Sequence, residues 1–233
     1  MFLVPELLSM AFFASLAANG ADDAAFVRAR EEMVATQIAA RGVKDPKTLA
    51  AMRKVPRHLF VPEGSRGQAY EDHPLGIGHG QTISQPYIVA FMTEAARLRG
   101  GETVLEIGTG SGYQAAVLSQ IAARVFTIEI VAPLAASSAA LLKRLGYANV
   151  AVRAGDGYLG WPEAAPFDAI LVTAAAPKIP APLKEQLKDG GHLVLPVGDD
   201  WQELIVVTRR GERFEENRLL AVRFVPMTGK VRQ

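Results

Sequence analysis

Residues 106–113, Glu-Ile-Gly-Thr-Gly-Ser-Gly-Tyr, carry the densest chemical signal in the sequence. Glycines 108, 110 and 112 follow a short apolar run, Thr103 to Ile107, and precede a helical pattern, Tyr113 to Ala122. Glycine lets a backbone turn tightly and approach a ligand with no Cβ in the way. The helix start beyond it offers unpaired N–H groups and partial positive charge. A nucleoside-like guest suits that combination. The spacing rejects one such guest. A dinucleotide fingerprint is Gly-x-Gly-x-x-Gly, with the last glycine for close helix packing; here the matching position, 113, is Tyr. Glu106 would also repel a pyrophosphate, whereas it suits a cationic ligand.

Two further carboxylates fall at the ends of the strands that follow. Glu129 ends the second, about 20 residues on, where a carboxylate can accept both ribose hydroxyls. Asp156 lies in Gly155-Asp156-Gly157, just past the third, placed for the amino group of a base. Singly, each is an ordinary cap or solvated charge. Together, beside one glycine loop, they mark a nucleoside site. Ahead of the loop stands Thr82-Ile83-Ser84-Gln85-Pro86. The plainer role for Ser84 is a helix N-cap. No Gly-x-Ser-x-Gly surrounds it, which disfavours a serine nucleophile. The chain has no cysteine, so thiol nucleophiles, disulfides and cysteine zinc sites are excluded. Its four histidines, 58, 73, 79 and 192, form no HExxH or HxxxH pair, and no metal site is expected.

The elements that must position these residues alternate. A helix ends near Gly42, with Asp22 or Asp23 as its cap and Phe26, Val34 and Ile38 among its apolar positions. Asp45-Pro46 opens a second, which stops before Pro56. Phe60 to Gln81 reads as a long glycine-bearing loop, and such loops are usually functional. Ser84-Gln85-Pro86 opens a helix through Leu98. Strands are then expected over Thr103–Ile107, Val125–Ile130, Val150–Arg153, Ala169–Thr173 and His192–Val197. Helices are expected over Tyr113–Ala122, Pro133–Leu145 and Pro182–Leu187. Glu203–Arg209 and Leu219–Val225 read as two strands joined through Gly211. This alternation predicts an α/β fold: a doubly wound, Rossmann-like, mostly parallel sheet with an antiparallel C-terminal hairpin at its edge.

The 233 residues are 49% hydrophobic, with 25 basic and 24 acidic side chains. Such a chain folds rather than remaining disordered. Its charge balance argues against broad capture of nucleic acid or of an anionic membrane. Residues 1–21 form an extension. Leu7 to Ala18 is apolar and ends in small residues like a cleavage region, yet Met1 to Gly20 holds no Lys or Arg, which a secretory signal normally has. The alternatives are a helical extension or a start at Met10 or Met33.

Glu-x-Gly-x-Gly-x-Gly is the pattern of S-adenosylmethionine-dependent methyltransferases. Taken with Val55 to Pro62, Gly78 to Pro86, Gly155 to Gly157, Pro166 to Ile170, Thr173 to Ala175 and Arg223 to Pro226, the chain resembles the protein-L-isoaspartate O-methyltransferase family from about Met33 to Val231. The Thr-Ile-Ser-Gln-Pro block is the specific part. The resemblance implies a seven-stranded methyltransferase sheet and S-adenosyl-L-methionine as donor, with S-adenosyl-L-homocysteine as product. It implies that the partners are isoaspartyl-containing proteins and peptides, methylated on the free α-carboxylate. The ester then collapses to a succinimide, whose hydrolysis returns some aspartate.

By resemblance Ser84 is the active-site residue, and we assign it to orienting the acceptor carboxylate. Thr82, Ile83, Glu106, Gly108, Thr109, Gly110, Gly112, Glu129, Asp156 and Gly157 are assigned to the donor. Gly80, Gln81 and Thr228 are assigned to the substrate, with the tail Val225 to Thr228 folded over the site. Residues 22–233 then form one domain: 22–100 carries helices and the substrate loop, 101–233 the donor-binding sheet and hairpin. A cytoplasmic monomer without stable membrane association is expected, or a periplasmic or secreted protein if residues 1–21 are a signal. A same-fold methyltransferase for another carboxylate or a small molecule would not explain Thr82-Ile83-Ser84. A nicotinamide dehydrogenase conflicts with Tyr113. A non-catalytic nucleoside-binding module conflicts with an intact loop, three acids and Ser84 together.

Overall fold

A computed structural model describes residues 24–232, so the expected caps Asp22 and Asp23 and the 1–21 extension lie outside the described residues. The first helix, α1 (24–32), continues through a π turn, Met33–Ile38, and a 3-10 turn, Ala39–Arg41, and stops at Gly42 in the left-handed region, φ 100°. Helix α2 (Pro46–Lys54) begins as expected: Asp45 accepts the Thr48 N–H at 2.7 Å, and Pro46 needs no N–H partner. The stretch read as a loop is more ordered. It contains a hairpin, β1 (Leu75–Gly78) and β2 (Gln81–Ile83), paired antiparallel. Its turn places Gly78, His79 and Gly80 all at positive φ.

Helix α3 (Pro86–Ala95) leads to the sheet. Strand β3 (Thr103–Ile107) and helix α4 (Tyr113–Ser119) are followed by β4 (Arg124–Glu129), α5 (Ala132–Arg144), β5 (Val150–Ala154) and β6 (Phe167–Val172). Helix α6 (Ala181–Glu185), β7 (Leu187–Val197), β8 (Gln202–Arg210) and β9 (Arg213–Val222) complete it. The seven strands run in the order β5-β4-β3-β6-β7-β8-β9, parallel as far as β7 and antiparallel thereafter. The expected α/β fold is therefore the observed one.

Two strand starts are corrected: β7 begins at Leu187 rather than His192, taking in Gly190, Gly191 and the last residue of the expected Pro182–Leu187 helix. The last strand starts at Arg213, not Leu219, and pairs with β8 almost from the turn. Glu215, Glu216, Asn217 and Arg218 hid it, because an exposed edge strand has no apolar alternation. Charges there also guard the edge against pairing with other chains.

Period-2 alternation sends neighbouring residues to opposite faces. Val104, Val125, Ala169, Leu171, Val194 and Leu204 pack under α3 and α4. Leu105, Ile107, Ile170, Val172, Leu193 and Leu195 face the other way, against Leu183 of α6 and the tail residues Met227 and Val231. Burying one such side chain contributes about 1.5–3 kcal/mol, so the tail is part of the core as well as a cover. The sheet order reverses at β3, with β4 on one side and β6 on the other. In open α/β sheets a ligand crevice forms at such a point, beyond the carboxyl ends of the strands.

Candidate active site

The glycine loop lies at that crevice. Gly108 and Thr109 both donate to the Ile128 carbonyl of the neighbouring strand, at 2.8 and 3.3 Å. Gly108 has φ 97°, and a Cβ there would come within 2.5 Å of Thr173 Oγ1. That hydroxyl sits 2.7 Å from the Gly108 carbonyl and donates to it. Glycine is thus required at 108 both by conformation and by contact. Gly112, φ 88°, is the N-cap of α4 and packs on Leu142.

The acids have distinct environments. Glu129 is buried, and both its oxygens accept backbone N–H groups, Oε2 from Gly110 at 2.8 Å and Oε1 from Val131 at 2.9 Å. A carboxylate has about four lone-pair sites, so two remain for a ligand. Glu129 therefore also moulds the loop. Glu106 is fully buried. Its Oε2 accepts from Thr127 Oγ1 at 2.5 Å, and Thr127 in turn lies 2.6 Å from Thr109 Oγ1. Its Oε1 is buried with no hydrogen-bond partner. Burial pushes the Glu106 carboxyl up to about 8, opposed by the Thr127 hydrogen bond and assisted by the charge of Glu129. A buried acceptor without a donor costs about 1–3 kcal/mol. A ligand carrying N–H donors or positive charge at this point would relieve that cost.

Two cavities open here and share a wall. The first is lined by Gly108, Gly110, Glu129, Ile130, Gly157 and the tail residues Val225 to Thr228, with Gln81 and Thr82. The second is lined by Ser84, Gln85, Tyr87, Arg41, Arg223 and the end of β9, again with Thr82. Thr82, Thr173 and Val225 line both. A narrow recess between them is bounded by Glu106, Thr109, Gly110, Ile83 and Ser84. The first cavity encloses about 590 Å³ and the second about 1360 Å³, open mouths included. The tail is fastened over the first cavity: Ala175 donates to Val225 at 2.8 Å, and Met227 donates to Ala175 at 2.7 Å.

The structure thus brings Gln81, Thr82, Ile83, Ser84, Glu106, Gly108, Thr109, Gly110, Glu129, Gly157 and Thr228 to one connected space. Ser84 does not play the plainer role. Gln85 is the N-cap of α3, and neither residue caps it with a side chain. Asp72 caps it instead, with Oδ1 accepting the Tyr87 N–H at 3.2 Å. The half-buried Ser84 hydroxyl has no hydrogen-bond partner among the described residues.

Other assignments fall differently. Gly80 lies in the hairpin turn, outside both cavities. Gly112 acts behind the loop. Thr228, expected at the substrate, lines the first cavity rather than the second. Asp156 lines neither. Its Oδ1 accepts from Tyr158 N at 2.9 Å and its Oδ2 from Lys230 N at 2.8 Å, so it anchors the tail. Thr173 stands in one of the blocks that carry the resemblance, Thr173 to Ala175, but was given no place in the site. Its signal was a hydroxyl residue ending the strand beside β3.

A family model for protein-L-isoaspartate(D-aspartate) O-methyltransferase matches residues 28–232. The protein-L-isoaspartate O-methyltransferase of Opitutus terrae is 58% identical over 225 residues, covering 94% of this chain and 97% of the relative. Protein-L-isoaspartate O-methyltransferase 2 of Shewanella sediminis is 58% identical over 210 residues, covering 89% and 86%. Among solved structures, a protein-L-isoaspartate O-methyltransferase aligns with TM-score 0.79 at 31% identity, covering 87% of this chain and 67% of the other. A Plasmodium falciparum beta-aspartate methyltransferase in complex with S-adenosyl-L-homocysteine aligns with TM-score 0.74 at 26% identity, covering 85% and 98%. On a family match over nearly the whole described chain, and on relatives of this identity and coverage, the chain belongs to the protein-L-isoaspartate(D-aspartate) O-methyltransferase family.

Proposed function

We propose that this chain methylates the free α-carboxylate of L-isoaspartyl residues, with S-adenosyl-L-methionine as donor. The observation that carries the reading is the shared wall. A carboxylate-lined nucleoside cavity and a cavity holding an unpartnered serine hydroxyl meet at Thr82, Thr173 and Val225. The residues fit the donor: Glu106 Oε1 lacks a partner, Glu129 retains lone pairs, and the loop has no Cβ at 108, 110 or 112.

When bound, the donor supplies an electrophilic methyl on a sulfonium whose leaving group departs neutral. Glu129 would accept ribose hydroxyls, Glu106 would meet the cationic end, and Gly108 and Gly110 would admit the ligand to the backbone. Gly157 would stand beside the donor, and Asp156, outside the cavity, serves it only through its hold on the tail. In the second cavity Ser84 donates to one acceptor oxygen and leaves the other free to attack. No strong base is needed, because a carboxyl group with an ordinary pKa near ~4 is already ionised. The protein's work is alignment and water exclusion, and the tail over the first cavity does the latter.

Among the described residues no helix is long and apolar enough to cross a membrane. We place the activity in the cytoplasm, where the donor is made.

The test is transfer of labelled methyl from S-adenosylmethionine to an isoaspartyl peptide and to its aspartyl twin. Base-labile label on the isoaspartyl peptide alone is the expected result. Donor binding with label on neither would refute the acceptor. Glu129→Gln keeps the side-chain outline but removes the charge and turns an amide NH2 toward one of the two backbone N–H groups. It is expected to weaken donor binding roughly 10- to 150-fold, the equivalent of about 1.5–3 kcal/mol for hydrogen bonds to a charged group. Unaltered affinity by calorimetry would remove Glu129 from the donor site.

A further inference from the structure

We infer that Arg41 recognises the carboxylate of the acceptor, and that Asp72 holds it in place to do so. This rests on the second cavity being the acceptor site. An acceptor that arrives as an anion needs a positive charge near Ser84, and a neutral hydroxyl does not supply one. Among the described residues lining that cavity, the charged side chains are Arg41 and Arg223, and none is acidic.

The two arginines differ in how they are held. Both are exposed, but Arg223, just past the end of β9, has no ion-pair partner among the described residues. Arg41 is fixed on two sides. Its Nη1 donates to Asp72 Oδ2 at 2.5 Å, and its guanidinium lies 3.6 Å above the Tyr87 ring centroid. The same Asp72 carboxylate takes the Gln85 amide at 2.7 Å and the Tyr87 N–H at 3.2 Å. Residues 85 and 87, which follow Ser84, and the cation stacked on Tyr87 are therefore tied to one anchor. A guanidinium has five donors, and this one uses a single donor on Asp72. Among the described residues the remaining donors meet no other partner, which leaves them for a carboxylate, and aromatic stacking pre-orients the plane.

Asp72 has a second consequence. It shares the charge of Arg41, so the contact is not an isolated bidentate clamp that would occupy the lone pairs needed for attack. The acceptor loses charge as its oxygen takes the methyl, so this contact holds the acceptor before the reaction and is not strengthened during it. A contact of that kind sets KM and leaves kcat alone.

Steady-state methylation of an isoaspartyl peptide at saturating donor tests this with Arg41→Gln and Arg41→Lys. Arg41→Gln is expected to raise the peptide KM about tenfold, with kcat within about twofold of wild type. Arg41→Lys, which keeps the charge, is expected to recover much of the loss. Donor affinity, measured by calorimetry, is expected to be the same in all three. Added salt is expected to raise the wild-type KM more steeply than that of Arg41→Gln, because screening acts on the charge alone. An unchanged KM in Arg41→Gln would overturn the inference. So would a fall in kcat at constant KM, or no recovery with Lys, either of which marks a structural role. A wild-type protein that leaves the isoaspartyl peptide unlabelled would instead defeat the functional reading, before any variant is compared.

Discussion

Ser84→Ala is expected to cut methyl transfer to an isoaspartyl peptide by roughly 10- to 150-fold in kcat while leaving donor affinity within about twofold. The magnitude is that of a mis-set attack geometry, where an error of about 1 Å costs about 100-fold in rate. The separation of effects follows from position. Ser84 lies in the second cavity and at the narrow recess, and the first cavity is lined without it. Its hydroxyl caps nothing, since Asp72 holds the α3 N-terminus. Removing it therefore leaves the helix start and the fold intact, and the loss falls on orientation of the acceptor. Thermal unfolding of the variant should match wild type within a few degrees. A collapse of donor affinity with turnover at saturation unchanged would show that Ser84 serves the donor instead. An unchanged kcat would remove it from the reaction.

Strand β3 was legible to the residue because a short apolar run stands between Gly101 and Gly108. The glycine loop was legible because each glycine is forced by conformation or contact, and such constraints leave a mark in composition. The β1–β2 hairpin was not, since Leu-Gly-Ile-Gly lacks the β-branched alternation that signals a strand. Arg213 to Arg218 failed for the opposite reason: pairing with β8 sustains the strand, and its charged side chains report only solvent.

The acids at 129 and 156 looked alike in sequence and differ in space. Glu129 turns in towards the loop, while Asp156 is drawn to the tail by Lys230, which lies 74 residues away. No local spacing encodes that. Arg41 and Thr173 were missed for the same reason. Each reaches the site through packing of distant segments, Arg41 by way of Asp72 and Thr173 by the neighbouring position of β6 and β3.

Glu106 should make both stability and donor binding depend on pH, and Glu106→Gln should remove both dependences. Burial raises this carboxyl from 4.5 to about 8 in the folded chain. Between those values the folded state holds a proton that the unfolded state has lost. Stability must then fall as pH rises, by about 1.4 kcal/mol per pH unit from this group. The contribution is complete below the unfolded value and gone above about 8. Glu106→Gln cannot titrate, so the stability difference between wild type and variant should shrink or reverse across that window, read by denaturant unfolding at several pH values.

Donor binding should respond with the opposite sign. A cationic ligand beside Glu106 favours its charged form, so wild-type affinity is expected to climb with pH, by up to about tenfold per pH unit, and to level off above about 8. The proton lost on binding is countable by calorimetry in buffers of different ionisation heat. Wild type should release it below the plateau, and Glu106→Gln should release none. Equal pH profiles in the two proteins would place the charge of Glu106 outside the donor site and leave the carboxyl a purely internal partner of Thr127 and Thr109.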